Sequence, residues 1–196
     1  MKRMSLRLWL TSYQRRKLEI SIYVILLVIG FMAGMFCTMK HENMSICKFC
    51  ITYGMVKSSA SRAEVFLFCF LRNGVQCILS IFFGLCAVGQ PCLLSILLMN
   101  GFTSGCCLAY LSRDFNAVIF PRYMTEAVFT IASSFIILLA VRSAVRFSLA
   151  AIEVYISESS AEGMRKNLKL YFVRFGILFL MVLLLSGIYA VLSGFF

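Results

Sequence analysis

Residues Gly89 to Glu126, GQPCLLSILLMNGFTSGCCLAYLSRDFNAVIFPRYMTE, decide between a soluble and a membrane fold. From Pro91 to Leu111 the run is apolar and about as long as a bilayer crossing requires, interrupted by one polar pair, Asn100-Gly101. The chain then surfaces through Ser112, Arg113 and Asp114 and turns apolar again at Pro121, with Glu126 just inside. Polar groups held in hydrocarbon are costly and face other helices rather than lipid. Gly101 and Gly105 form a GxxxG pair, which lets two helix backbones approach closely.

The rest of the chain has the same character. Of its 196 residues 61% are hydrophobic, against roughly 45–50% in soluble domains, and mean hydropathy is +0.92. We read an all-α, polytopic helical membrane protein with about five transmembrane helices over 18–39, 65–88, 91–111, 124–141 and 170–192. Residues 1–17 form a basic N-terminal segment and residues 18–196 a single membrane domain. The first apolar stretch is too long for a signal peptide, and Met35-Phe36-Cys37 is not a cleavage site, so that span stays in the protein. Gly30 and Gly34 within it make a second GxxxG, expected at a close helix contact. The uncharged turn Gly89-Gln90-Pro91 joins spans two and three as an antiparallel hairpin.

Charge sets the orientation. Eleven Lys and Arg flank the spans on the side of the N-terminus and six on the other, so the N-terminus is expected in the cytoplasm. Residues 1–17 read as a short helix on the inner leaflet or as a disordered basic tail. After the fourth span, Arg142 and Arg146 lead into an apolar helical face that would lie on the membrane surface. Ser159-x-x-Glu162 reads as a capping box opening the last helix. Arg72, inside span two, is expected to snorkel to the outer headgroups. Glu126 reads either as a carboxylate complementing a helix dipole or as a packed, functional group. The outer segment Lys40 to Glu64 is too apolar for a free loop and reads as a half-buried or interfacial piece. The net charge of +11 fits positive-inside topology and anionic membrane lipid; motifs for nucleic acid are absent.

No catalytic apparatus is written in the chain. Its single His, His41, lies outside the spans without partners, and Glu126 has no second carboxylate nearby. Phosphate loops and HExxH motifs are missing, so no catalytic residue, cofactor or metal is expected. Most of the nine cysteines sit within or beside apolar runs as small hydrophobes. Cys47-Lys-Phe-Cys50 is a lone CxxC, which leaves unpaired thiols or a disulfide or redox pair open.

The polar and small residues of the spans have a recognisable order: Asn73-Gly74, Gly84 and Gly89, Asn100-Gly101 with Gly105, then Phe120-Pro121-Arg122-Tyr123-Met124-Thr125-Glu126. Over about residues 60–190 this resembles the stage II sporulation protein M (SpoIIM) family, with its early Asn pair, glycine-spaced hairpin, Asn-Gly and Pro-His-Gly-x-x-Glu motif. Gly74 replaces the second Asn, and Arg122-Tyr123 replace the His-Gly, while Pro121 and Glu126 keep their spacing. The resemblance implies a non-enzymatic scaffold of endospore formation. It would gather SpoIID-like and SpoIIP-like peptidoglycan hydrolases in the septal membrane for forespore engulfment. Asn73, Gly84, Asn100, Gly101, Gly105, Pro121 and Glu126 are the expected helix-packing and polar-core residues, and a homo-oligomer is compatible. The rival readings are a small permease or transporter component, its path lined by the two Asn-Gly pairs, Arg72 and Glu126, and a family relative acting outside sporulation.

Overall fold

The computed structural model describes residues 2–40, 45–54, 61–86, 89–113, 120–157 and 161–193, with side chains left aside at several helix ends. These hold six helices: α1 (Lys2–Lys40), α2 (Ser45–Gly54), α3 (Arg62–Leu85), α4 (Gln90–Arg113), α5 (Phe120–Ser157) and α6 (Ala161–Ser193). All but α2 are long and apolar enough to cross a membrane, over Glu19–Lys40, Arg62–Leu85, Gln90–Ser112, Tyr123–Ile152 and Arg165–Ser193. The five expected spans are therefore present, and the fold is an all-α, multi-pass membrane protein. Both prolines of the chain fall in first turns, Pro91 in α4 and Pro121 in α5, where a missing backbone N–H costs nothing.

Several boundaries differ from the sequence reading, each for a physical reason. α1 is one unbroken helix through the boundary at residues 17 and 18, so its basic half continues the axis of the span rather than forming a separate piece. α5 likewise runs through Arg142 and Arg146 without turning onto the membrane surface; Arg146 pairs with Glu19 of α1 at 3.1 Å, which offsets its charge. α3 starts three residues before the expected span. Ser61 and Glu64 form a capping box there: Ser61 Oγ accepts from the Glu64 N–H at 3.3 Å, and Glu64 Oε2 accepts from the Ser61 N–H at 2.8 Å. Ser159 and His41 lie outside the described residues, so the second capping box and the lone His are not placed.

The bundle is built around α5, whose most apolar stretch is more than half buried (56%), while that of α1, buried over 17%, is peripheral. α3, α5 and α6 pack on one another, α4 joins them through α5, and α1 lies almost entirely on α4. Spans two and three share few contacts, so the hairpin between them is a connection more than an interface. The main core holds Leu93 and Leu97 of α4, Ile137, Val141 and Ala144 of α5, and Tyr171, Phe175 and Val182 of α6. At the inner end Gly84 of α3 lets Tyr171 and Ala144 close in; a Cβ there would sit 2.8 Å from the Ala144 Cβ and against the Tyr171 hydroxyl. That hydroxyl donates to the Ile81 carbonyl at 3.1 Å.

The tightest contact joins α1 to α4. Gly30 and Gly34 face the backbone of Leu98, Phe102 and Cys106, while Gly101 and Gly105 face that of Leu27, Phe31 and Met35. Each GxxxG thus receives the backbone of the other helix, and a Cβ at any of the four would collide with a main-chain carbonyl oxygen. The two stripes expected at close helix contacts are therefore spent on each other inside the protein. Gly176 and Gly187 of α6 are different, with nothing within 4 Å. Replacing Gly34 or Gly105 with Leu should cost at least the ~1–3 kcal/mol typical of overpacking, because backbone cannot move aside as a side chain can. Gly176→Ala should be tolerated. Unfolding of the purified protein in detergent checks both, and equal stability for Gly105→Leu and wild type would refute the contact.

Candidate polar core

In the outer half of the bundle three spans turn polar side chains toward one another. α3 supplies Arg72 and Gln76; α4 supplies Asn100, Thr103 and Ser104; α5 supplies Glu126, Thr130 and Ser134. In a medium without water these groups must find partners within the protein. Ser104 uses its own helix, donating to the Asn100 carbonyl at 2.7 Å, as Thr125 just inside α5 does to that of Pro121 at 2.9 Å. Asn100 reaches across instead, its Nδ2 donating to Ser134 Oγ at 3.0 Å between two buried side chains.

Arg72 does not snorkel outward. Its guanidinium lies 5.3 Å from the centre of the Phe129 ring, a cation–π contact, and the residue lines a small cavity with Gln76, Asn100, Thr103, Ser104, Cys107 and Thr130. The cavity holds about 10 Å³, room for about one water molecule, and Gln76 Oε1 is a buried acceptor with no partner among the described residues. Glu126 is buried, 5% exposed, in the second turn of α5, so the carboxylate is packed within the bundle rather than exposed at the helix start. It shares a side-chain hydrogen bond with Tyr189 of α6, and both Glu126 and Arg72 act electrostatically on Cys69 and Tyr189.

The structure divides the expected site residues among several places. Asn100 and Glu126 join the polar core, while Asn73 is buried within α3; Gly30, Gly34, Gly101 and Gly105 form the α1–α4 contact. Gly84 serves the inner crossing, and Pro121 opens α5. Asn100 and Gly101 are neighbours in sequence that face different helices, α5 and α1. Sequence reasoning missed Gln76, Thr130, Ser134 and Tyr189. Each is a polar or amphipathic residue in a span, and that was the available signal.

A second cluster sits beside it. α2 is a half-buried helix, as its composition suggested, with Phe49 and Ile46 exposed. Its Cys47 and Cys50 are buried with Cys106 of α4, and Cys37 of α1 borders them. Cys107 Sγ donates to the Cys50 carbonyl at 3.9 Å, and Cys106 Sγ to that of Gly34 at 3.5 Å. All nine cysteines are free thiols, and among the described residues no group of three or more His, Cys, Asp or Glu is disposed to hold a metal. Burial pushes the Cys50 thiol above its ordinary range, which a hydrogen bond with Thr103 partly offsets.

Compared with family models, with curated proteins and with solved structures, the chain matches none.

Two outcomes are expected from this geometry. Asn100→Leu should leave membrane insertion intact and lower stability by about 0.6–2 kcal/mol, the range for an interhelical hydrogen bond in a membrane. Reversible unfolding in mixed micelles measures it, and a stabilised variant would contradict the Asn100–Ser134 bond. N-ethylmaleimide applied to intact membranes should modify Cys86 and Cys92, both exposed, well before Cys47, Cys50 and Cys106. Because reaction requires the thiolate and the raised Cys50 value delays its formation, Cys50 labelling should rise only at pH above the usual thiol range. Peptide mass mapping reads the order.

Proposed function

We propose that the protein is a non-enzymatic membrane scaffold acting in endospore formation, holding single-span peptidoglycan hydrolases of the SpoIID-like and SpoIIP-like kinds at the septal membrane. The order Asn73-Gly74, Gly84 and Gly89, Asn100-Gly101-x-x-x-Gly105 and Pro121 to Glu126 supports the family reading. The observation that carries the scaffold role is the inward convergence of Arg72, Asn100 and Glu126 from three helices. Polar groups are used to lock the bundle, and the surface left to neighbours is apolar.

That surface is where partner helices would bind. Since the glycine stripes of α1 and α4 face each other, lateral contact would use exposed apolar faces instead, those of α3 and α6 among them. There Leu67, Leu71, Ile78 and Phe82 of α3 and Ile177, Leu180, Leu184 and Ile188 of α6 stand exposed. Helices of single-span proteins pack on such faces by van der Waals complementarity. Wall chemistry would reside in the partners. A transport path would need a continuous polar route, and the space between Arg72, Gln76 and Asn100 admits about one water molecule.

The test is a crosslinked pull-down of tagged protein from sporulating cells, with partners identified by mass spectrometry. Recovery of peptidoglycan hydrolases is expected, and it should fall when Leu180 and Leu184 are both replaced by Ala. An ATPase or a solute-binding protein, with no hydrolase, would replace the scaffold with the transporter.

A further inference from the structure

At the inner end of the bundle α5 and α6 part to leave an open cavity of about 150 Å³. Its polar lining consists of Ser143 and Arg146 from α5 and Asn167 and Arg174 from α6. Every one of these can donate hydrogen bonds, and among the described residues no acidic side chain lines the space. The floor is apolar: Phe147 and Tyr171 stack with ring centres 4.4 Å apart.

Arg174 is the informative group. It is exposed and lies four residues past Leu170, where the uncharged apolar run begins, about 6 Å along the helix axis, among Val173, Phe175 and Ile177. A guanidinium in such a stretch is costly unless an anion answers it. Among the described residues Arg174 has no acidic partner: the nearby ion pair, Arg146–Glu19, engages Arg146 through one nitrogen. The positive charge of the cavity thus exceeds what the described residues neutralise. Arg165, Lys166 and Lys169 stand exposed at the foot of the same helix, outside the cavity.

We propose that this cavity binds the headgroup of an anionic phospholipid, its phosphate held by Arg174 and Arg146 and its glycerol region resting on Phe147 and Tyr171. Three features favour a lipid over free phosphate. The cavity opens between two helices that cross the bilayer, its floor is apolar, and the exposed Leu170 and Val173 beside it give acyl chains a surface to follow. Charge bias places this end at the cytoplasmic leaflet, where basic pockets between helices meet anionic headgroups. The site is separate from the polar core and holds whether or not the scaffold reading does.

The experiment is native mass spectrometry of the full chain released from nanodiscs of phosphatidylcholine with graded phosphatidylglycerol. Retention of one phosphatidylglycerol in preference to phosphatidylcholine is expected, persisting when inorganic phosphate is added in excess. Arg174→Gln should weaken retention about fivefold, the effect of one basic residue at an anionic surface, and Arg174→Lys less. Arg165→Gln, outside the cavity, should change little. Melting curves of each variant in detergent separate loss of the site from loss of the fold, and Asn167→Leu gives a second reading without touching charge. Equal retention by Arg174→Gln and wild type would overturn the site. So would equal losses from Arg165→Gln, since binding would then follow diffuse surface charge. Displacement by phosphate would identify a free-anion site instead and overturn the lipid assignment.

Discussion

The contact on which the bundle depends is the one between two backbones. Lipid tails are as apolar as leucine, so a peripheral helix gains little from the hydrophobic effect once inside the membrane. α1 is such a helix, buried over only 17% of its most apolar stretch, and almost everything it touches is α4. Four glycines, two from each helix, let main-chain atoms meet and turn a weak association into a close-packed one. Held there, α1 brings Glu19 to Arg146 at one end and Gly34 to Cys106 at the other. The buried thiols of α2 then rest on α4 at the same corner.

A second constraint acts from the inside. Low dielectric raises the cost of every unmatched polar group, so the polar side chains of α3, α4 and α5 are gathered in one place rather than scattered. Asn100 ties α4 to α5 through Ser134, while Glu126 engages Tyr189 of α6 and Arg72 rests on Phe129. These bonds are directional where the apolar core is not, and they select one arrangement of helices among many that would bury similar area. The glycine contact and the polar core therefore divide the work: the first sets how close α1 comes, the second which way α3, α4, α5 and α6 face. A body fixed in this way, with an apolar exterior, suits the role proposed for it.

The five spans were legible because 20-residue apolar runs have few other meanings. GxxxG pairs at Gly30 and Gly101 announced close contacts but not that each was the other's partner, since pairing is decided by the bundle. Arg72 was misjudged because sequence shows depth, not the side of the helix; Phe129 and the α4 polar residues drew it inward. Arg142 and Arg146 looked like the end of a span, yet α5 continues through them, for Glu19, 127 residues away in sequence, answers one of them. Ser61-x-x-Glu64 was readable as a helix start, yet the half-buried outer segment was carried through to Glu64. The gathering of Cys106 with Cys47 and Cys50 left no local trace, as it depends on α2 folding back onto α4.

The most direct test of the account is whether α1 lies against α4 in a membrane. With the native cysteines replaced by serine, Phe31→Cys and Phe102→Cys would be introduced together and treated with a short bis-maleimide in native membranes. A second protein would pair Phe31→Cys with Leu184→Cys on the exposed face of α6. The account predicts an intramolecular crosslink in the first protein, seen as a joined peptide after digestion, and none in the second. A crosslink between α1 and α6, with α1 and α4 left unjoined, would contradict it.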